Sequence, residues 1–310
     1  MVIQGAQEGR TVPKTASAGI KDSTGYRVFT WVNTILLLLF VAIILYPLLT
    51  IVAQSFSSEG AIRTGQVNLF PVGFNLDTYR AVAENPLFWR NYRNTVTYTV
   101  VGTTVAMILT TSLAFVISKK HLRGRGLLIG IAVFTMFFNG GLIPNYVLIM
   151  NLGLKNTMWA VVLPGALSVF NLLVMKSFFE NLPTELEESA QIDGLNWFGI
   201  LFRIVLPLSK AVIATMVLFY AVMYWNDWFT AFLYIDRQDL MPVTMFLRNL
   251  IAGASSAASE GAAGQGMLTS AVSANIQAVT MVLTVIPILC VYPFIQRYFV
   301  TGIMLGSVKG

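Results

Sequence analysis

The chain has 310 residues, of which 56% are hydrophobic and only 11% charged. Soluble chains carry about 25% charged residues, so this composition describes an integral membrane protein. The net charge of +6 is read as loops rich in Lys and Arg rather than as a nucleic-acid surface, and the single cysteine, Cys290, excludes an intrachain disulfide.

Residues 1–27 form a polar tail with Gly, Ser and Thr and the basic Arg10, Lys14 and Lys21. A membrane span needs about 20 apolar residues. Six segments meet that need: 28–53, 95–117, 127–150, 157–174, 211–234 and 276–294. Together they define a transmembrane domain over 28–300, followed by a short tail over 301–310. The third segment contains Asn139-Gly140-Gly141 and Pro144. Either it is irregular within the membrane, or it ends near Phe138 and a short outer helix follows. The fifth contains Tyr220, Tyr224, Trp225, Asn226 and Asp227, with Tyr220, Tyr224 and Asp227 on one helical face. Aromatic rings beside Asn and Asp suit a sugar, and they suit an aromatic belt at the membrane interface equally. Asn139, Tyr220, Tyr224, Asn226 and Asp227 are the candidate substrate-pathway residues. Between the fifth and sixth segments, residues 252–265 are small, polar and of low complexity.

Basic residues set the orientation. With the N-terminus inside, thirteen of the 20 Lys and Arg fall inside. Lys119, Lys120, Arg123 and Arg125 crowd one short loop, whereas its outer counterpart has only Lys155. Both termini and residues 181–207 then lie in the cytoplasm.

That last stretch is polar in an apolar chain. It carries Glu185, Glu187, Glu188 and Asp193, four of the 14 acidic residues. Its pattern predicts a short helix, a turn, a second helix and a stop. Thr184 and Glu187 are spaced as a capping box, Gly194 supplies a left-handed turn, and Asn196 caps the second helix. Phe198, Leu201, Phe202 and Val205 mark one apolar face, and Pro207 interrupts the helix or opens the next. Leu186 and the small Ser189 and Ala190 leave room for another surface to approach. From the residues alone, an amphipathic connector lying on the membrane surface is also open.

Glu188-Ser189-Ala190, then Gly194, then Ile204-x-Leu206-Pro207 resembles the EAA loop of ABC importer permeases, with Ser189 in place of an Ala. Phe138-Asn-Gly-Gly-Leu-Ile-Pro144, Leu152-Gly-Leu-Lys-Asn-Thr157, Leu163-Pro-Gly165 and Gln296-Arg-Tyr-Phe299 are similar to carbohydrate-importer permeases of the maltose-transporter type. The resemblance implies an all-α type I importer permease in a bacterial cell membrane, with six transmembrane helices. It implies ATPase coupling through Glu187, Glu188, Ser189, Ala190, Asp193, Gly194, Ile204, Leu206 and Pro207. It also implies a second, homologous permease, two ATP-binding subunits and an extracellular solute-binding protein as partners. In the related maltose permease, the loop corresponding to 252–265 reaches into the binding protein and helps dislodge the sugar. Here its release role and a tolerated insertion are both open.

The chain has no phosphate-binding loop, no intramembrane relay of acids and histidines, and no catalytic set around its one histidine, His121. No metal or cofactor is expected on this chain. ATP and Mg would be used by the partner ATPase. The same mechanism for glycerol phosphate, a polyamine or an amino acid, and a non-transporting membrane scaffold, are the competing readings.

Overall fold

The computed structural model describes residues 23–259 and 274–304. Among them every regular element is helical. The chain divides into two units, Met1–Leu49 and Thr50–Gly310. In the first, α1 (Thr24–Ser55) begins, apolar over most of its length. Its Pro47 is tolerated because the flanking turns keep the helix going.

The second unit continues with two short helices, α2 (Glu59–Arg63) and α3 (Asp77–Glu84), then the long α4 (Pro86–Ser118). Asn85 starts α4 by accepting from the amide of Leu87, with Pro86 at the first helical position. This helix starts nine residues before the second apolar segment and ends one residue after it. With α1, it is one of two described helices long and apolar enough to cross a membrane alone.

The third apolar segment is two helices, α5 (Arg125–Phe137) and α6 (Leu142–Asn151), meeting at 113°. The break falls on Phe138-Asn-Gly-Gly, where Gly141 adopts φ 91°, so the helix ends near Phe138. The fourth segment is not one helix over 157–174. It divides into α7 (Met158–Val162) and α8 (Val169–Glu180). The intervening Leu163-Pro-Gly165 explains the break, because proline cannot supply the next ladder hydrogen bond. Ser168 then caps α8 by accepting from the amide of Asn171.

The polar stretch forms α9 (Thr184–Ile192) and α10 (Trp197–Ile200), a π-helical turn over Leu201–Val205, and α11 (Leu206–Leu208). The fifth segment becomes α12 (Lys210–Asn226) and α13 (Phe229–Tyr234), interrupted at Asp227-Trp228. A 3-10 turn (Gln238–Leu240) leads to α14 (Val243–Ser259) and α15 (Ala274–Met304). The low-complexity stretch after Ala252 is therefore helical up to Ser259. Residues 260–273, which hold the rest of the predicted flexible loop, lie outside the described residues, as do 1–22 and 305–310.

The packing centres on α4, against which α8 and α12 lie. Small residues let them approach. A Cβ at Gly102 would stand 2.7 Å from the ring of Tyr224, and one at Gly165 would stand 2.9 Å from Met223 Cε and 3.4 Å from the Tyr224 hydroxyl. Helices in lipid gain little from hiding apolar surface, so such close packing is a main source of association. A core cluster made by Phe115, Leu172, Met175, Phe179, Ile200 and Val205 then joins α4, α8, α10 and the π turn.

Candidate coupling segment and cleft

The acidic segment is built by three local devices. Gly194 has φ 82° and nothing near the place of a Cβ, so its requirement is conformational rather than spatial. The amide of Gly194 donates to Gln191 and that of Leu195 to Ala190, at 3.0 and 2.9 Å, the two bonds of a Schellman ending. Asn196 then accepts from the amide of Gly199 at 2.8 Å and starts α10. Pro207 carries no N–H, so the carbonyl four residues before it lacks its helical partner, and the ladder widens into the π turn just ahead of it. The chain bends by 86° between Leu208 and Lys210.

Three expectations change here. Thr184 and Glu187 form no capping box: Pro183 precedes the first turn without a side-chain cap. Glu187 faces away, and Lys119 Nζ donates to both its oxygens, at 2.5 and 2.6 Å. Phe198, Leu201, Phe202 and Val205 do not share one buried face. Leu201 and Val205 are buried with Ile200, while Phe198 is 75% and Phe202 63% exposed. The first pair and the second are adjacent stripes, and only one stripe faces the core. Ala190 is also not offered outward; it is buried in the core cluster. The outward face of α9 and the turn carries Glu185, Glu188, Ser189, Ile192 and Asp193, with Leu186 partly exposed. Ile192 is 86% exposed. Ile204 and Leu206 are half-buried against the core cluster, and Pro207 is exposed.

A charge network ties this segment to its neighbours. Lys119 stands over the ring of Phe115 at 4.2 Å and that of Trp197 at 5.9 Å while it holds Glu187. Arg125 pairs with Glu180 and donates to the carbonyl of Ile117 at 2.8 Å. Lys176 pairs with the other oxygen of Glu180 at 2.9 Å. Burial pushes the Glu180 carboxyl up, but Lys176 and Arg125 together outweigh it and hold it below the ordinary carboxylate range. In the sequence these cations registered only as loop charge. The missed signal was the acidic residues 60 or so positions away, which needed cationic partners once partly buried.

A cleft of about 290 Å³ lies between α6 and α13, lined by Asn139, Asn145, Pro164, Phe229, Thr230 and Tyr234. Asn139 Oδ1 accepts from the Gly141 amide and from Asn145 Nδ2, at 2.9 and 3.3 Å. Asp227 accepts from the amide of Thr230 at 3.0 Å and so supports the cleft wall. Asn226 donates to its own helix at Val222. Tyr220 and Tyr224 are not at the cleft. Both are buried, Tyr220 hydrogen bonded to Thr110 at 2.6 Å and to the Ser168 amide at 3.0 Å, and Tyr224 donating to the Val162 carbonyl at 2.8 Å. The five pathway candidates are thus divided. Asn139 lines the cleft, Asp227 supports it, and the two tyrosines join helices. Among the described residues no three of His, Cys, Asp and Glu come together to hold a metal.

No family model matches the chain. It is 43% identical over 284 residues to protein LplC of Bacillus subtilis, covering 92% of this chain and 96% of that one. It is 41% identical over 274 residues to the polygalacturonan/rhamnogalacturonan transport system permease protein YtcP of the same organism, covering 88% and 96%. It matches a crystal structure of a bacterial ABC transporter involved in the import of the acidic polysaccharide alginate, with a TM-score of 0.81 and 33% identity, over 90% of this chain and 99% of that one. The chain belongs to the permease family of ABC transporters. The permease has the all-helical fold of an ABC importer subunit. Its 181–207 segment is the stretch that resembles the EAA loop, and it presents a carboxylate-rich face around a buried small residue.

Proposed function

We propose that the permease is the membrane-spanning subunit of an importer that takes up a carbohydrate delivered by an extracellular binding protein. The observation that carries this is the 41% identity, over nearly the whole chain, to a permease named for polygalacturonan and rhamnogalacturonan transport. In this reading the bent pair α5–α6 and the pair α7–α8 each contribute to a span, giving six with α1, α4, α12 and α15. The N-terminus and the 181–207 segment face the cytoplasm, in line with the Lys and Arg bias. Glu185, Glu188, Ser189 and Asp193 meet a separate ATPase, and Gly194 sets the angle at which they do so. Glu187 and Ala190 hold the segment to its own subunit.

ATP and Mg are consumed by the ATPase pair. The permease supplies the path, and a second, homologous permease completes it. It has no catalytic role of its own, since alternating access needs only that ATP-driven closure below be transmitted to the helices above. The test is ATP-dependent uptake of an oligosaccharide into proteoliposomes that hold the full complex, with the loaded binding protein outside. Uptake that needs both ATP and the binding protein supports the reading. Uptake of amino acids or polyamines, with none of oligosaccharides, overturns it.

A further inference from the structure

Arg248 on α14 has no carboxylate within ion-pair distance among the described residues, whereas seven other described basic side chains are matched by Asp or Glu. Its guanidinium carbon lies 4.7 Å from the ring centre of Trp228 and 4.5 Å from that of Phe232. Arg248 is half-buried, whereas Trp228, Phe229 and Phe232 around it keep open surface. One helical turn earlier, Thr244 donates to the carbonyl of Asp227 at 3.3 Å, which fixes α14 against the start of α13. The same α13 lines the cleft with Phe229 and Thr230.

These features describe a cation held between two aromatic rings, with no anion beside it among the described residues. Contact with two rings restrains a side chain that would otherwise be very flexible, and a guanidinium so held can offer an N–H edge to a ligand. A planar carboxylate matches that edge with two parallel hydrogen bonds. Burying a charge by half without a partner is costly, so a ligand that supplies the partner gains from the relief.

We propose that Arg248, seated on Trp228 and Phe232, binds the carboxylate of an acidic sugar, a uronic acid residue of the imported chain. This rests on the carbohydrate reading above and narrows it to acidic oligosaccharides. Among the relatives named for a substrate, the 41% identical permease named for polygalacturonan and rhamnogalacturonan and the 33% identical alginate importer carry acidic sugars, whereas relatives at 21–28% identity are named for arabinooligosaccharides, lactose and diacetylchitobiose. The other source of an oxyanion is the phosphate of a lipid headgroup, and the test separates them.

The experiment uses the complete transporter in proteoliposomes, with trigalacturonate or its methyl ester supplied at concentrations that saturate the binding protein. The variants are Arg248→Gln and Arg248→Lys. The readout is sugar moved per ATP hydrolysed, which a general loss of folded protein does not change. Arg248→Gln is expected to lower this ratio about ten- to a hundredfold for the acid, the range for losing a charge-assisted hydrogen-bonded pair, and to leave the ester as in wild type. Arg248→Lys, which keeps the charge without the fork, is expected to fall between. An equal fall for acid and ester, or no fall for the acid, overturns the proposal. So does a variant effect seen only when anionic lipid is added to zwitterionic vesicles, which assigns Arg248 to a headgroup. A wild-type complex that moves a neutral oligosaccharide but neither the acid nor the ester overturns the proposal and leaves the carbohydrate reading standing, whereas one that moves no oligosaccharide at all sinks that reading itself.

Discussion

Lys119 grips both carboxylate oxygens of Glu187, at 2.5 and 2.6 Å, across 68 residues of sequence. The residue that ends α4 is thereby tied to the first turn of α9. Each side chain is more than four-fifths buried, so neither charge can be rehydrated fully if the other is removed. Lys119→Met or Glu187→Gln is expected to loosen α9 at a cost of about 1–3 kcal/mol. The complex should still assemble, and ATP turnover should persist while uptake falls. The charge exchange Lys119→Glu with Glu187→Lys should restore part of the uptake. Equal uptake in all four proteins would show that the pair does not position α9.

At Gly194 the space around a Cβ is empty, so only the backbone angle decides. Substitution should therefore follow tolerance of the left-handed region and not side-chain size. Gly194→Asn is expected to cost least, Gly194→Ala about 1 kcal/mol, and Gly194→Val the most. Uptake per assembled complex should fall in the same order. A ranking by volume, with Asn worse than Ala, would refute the conformational account.

Gly102 presents the opposite case: its φ is unremarkable and its space is full. Gly102→Ala places a methyl 2.7 Å from Tyr224, a rigid ring that is itself buried. The expected loss is about 1–3 kcal/mol of stability, read as a lower melting temperature of the detergent-purified complex. Adding Tyr224→Leu, which removes the ring, should recover part of the loss from Gly102→Ala. Strictly additive effects would show that the two residues do not meet.

The low carboxyl pKa of Glu180 gives a pH signature. Its folded value lies below the unfolded value of about 4.5, so its stabilisation is complete above the unfolded value and is lost as pH falls through the folded one. Glu180→Gln should therefore melt earlier than wild type at pH 7, by about 1–2 kcal/mol, with the gap closing below about pH 4.5. A gap that is the same at pH 7 and pH 3.5 would leave the ion pairs with Arg125 and Lys176 without a share in stability.

Orientation is tested by cysteine labelling. Cys290 is exposed and must first be replaced. Ser118 is buried and donates to the Phe115 carbonyl, so it is a poor reporter on either side. Exposed Gln66 and Arg123 serve instead. Gln66→Cys should react with an impermeant thiol reagent on intact cells, and Arg123→Cys should react only after lysis. The reverse pattern would turn the molecule over.

Local chemistry was readable where one residue type has one use. Gly194, Asn196 and the Gly140-Gly141 break were legible because each answers to backbone geometry alone. Apolar length located the helices but not their interruptions. The 157–174 segment looked continuous by hydropathy, and Pro164-Gly165 divided it. The tyrosines of α12 suited a sugar site and an interfacial belt equally, because periodicity tells which residues share a side, not what that side meets. Tyr220 and Tyr224 meet Thr110, Gly102 and Val162, from helices far away in sequence. The charge network was hidden for the same reason: Lys119 and Glu187 each satisfied a local rule, and their pairing is a fact of tertiary packing.

The 86° bend between Leu208 and Lys210 joins two arms at nearly a right angle. Such a junction works as a bell crank. A thrust directed along the first arm is almost perpendicular to the second, so it arrives at α12 as a tilt and hardly at all as a slide. Near the other end of that lever Tyr224 is wedged between Gly102 and Gly165, where little sideways travel is available. A small swing of α12 is then passed to α4 and to the turn before α8 together, and the leverage is set by the 15 residues from Lys210 to Tyr224.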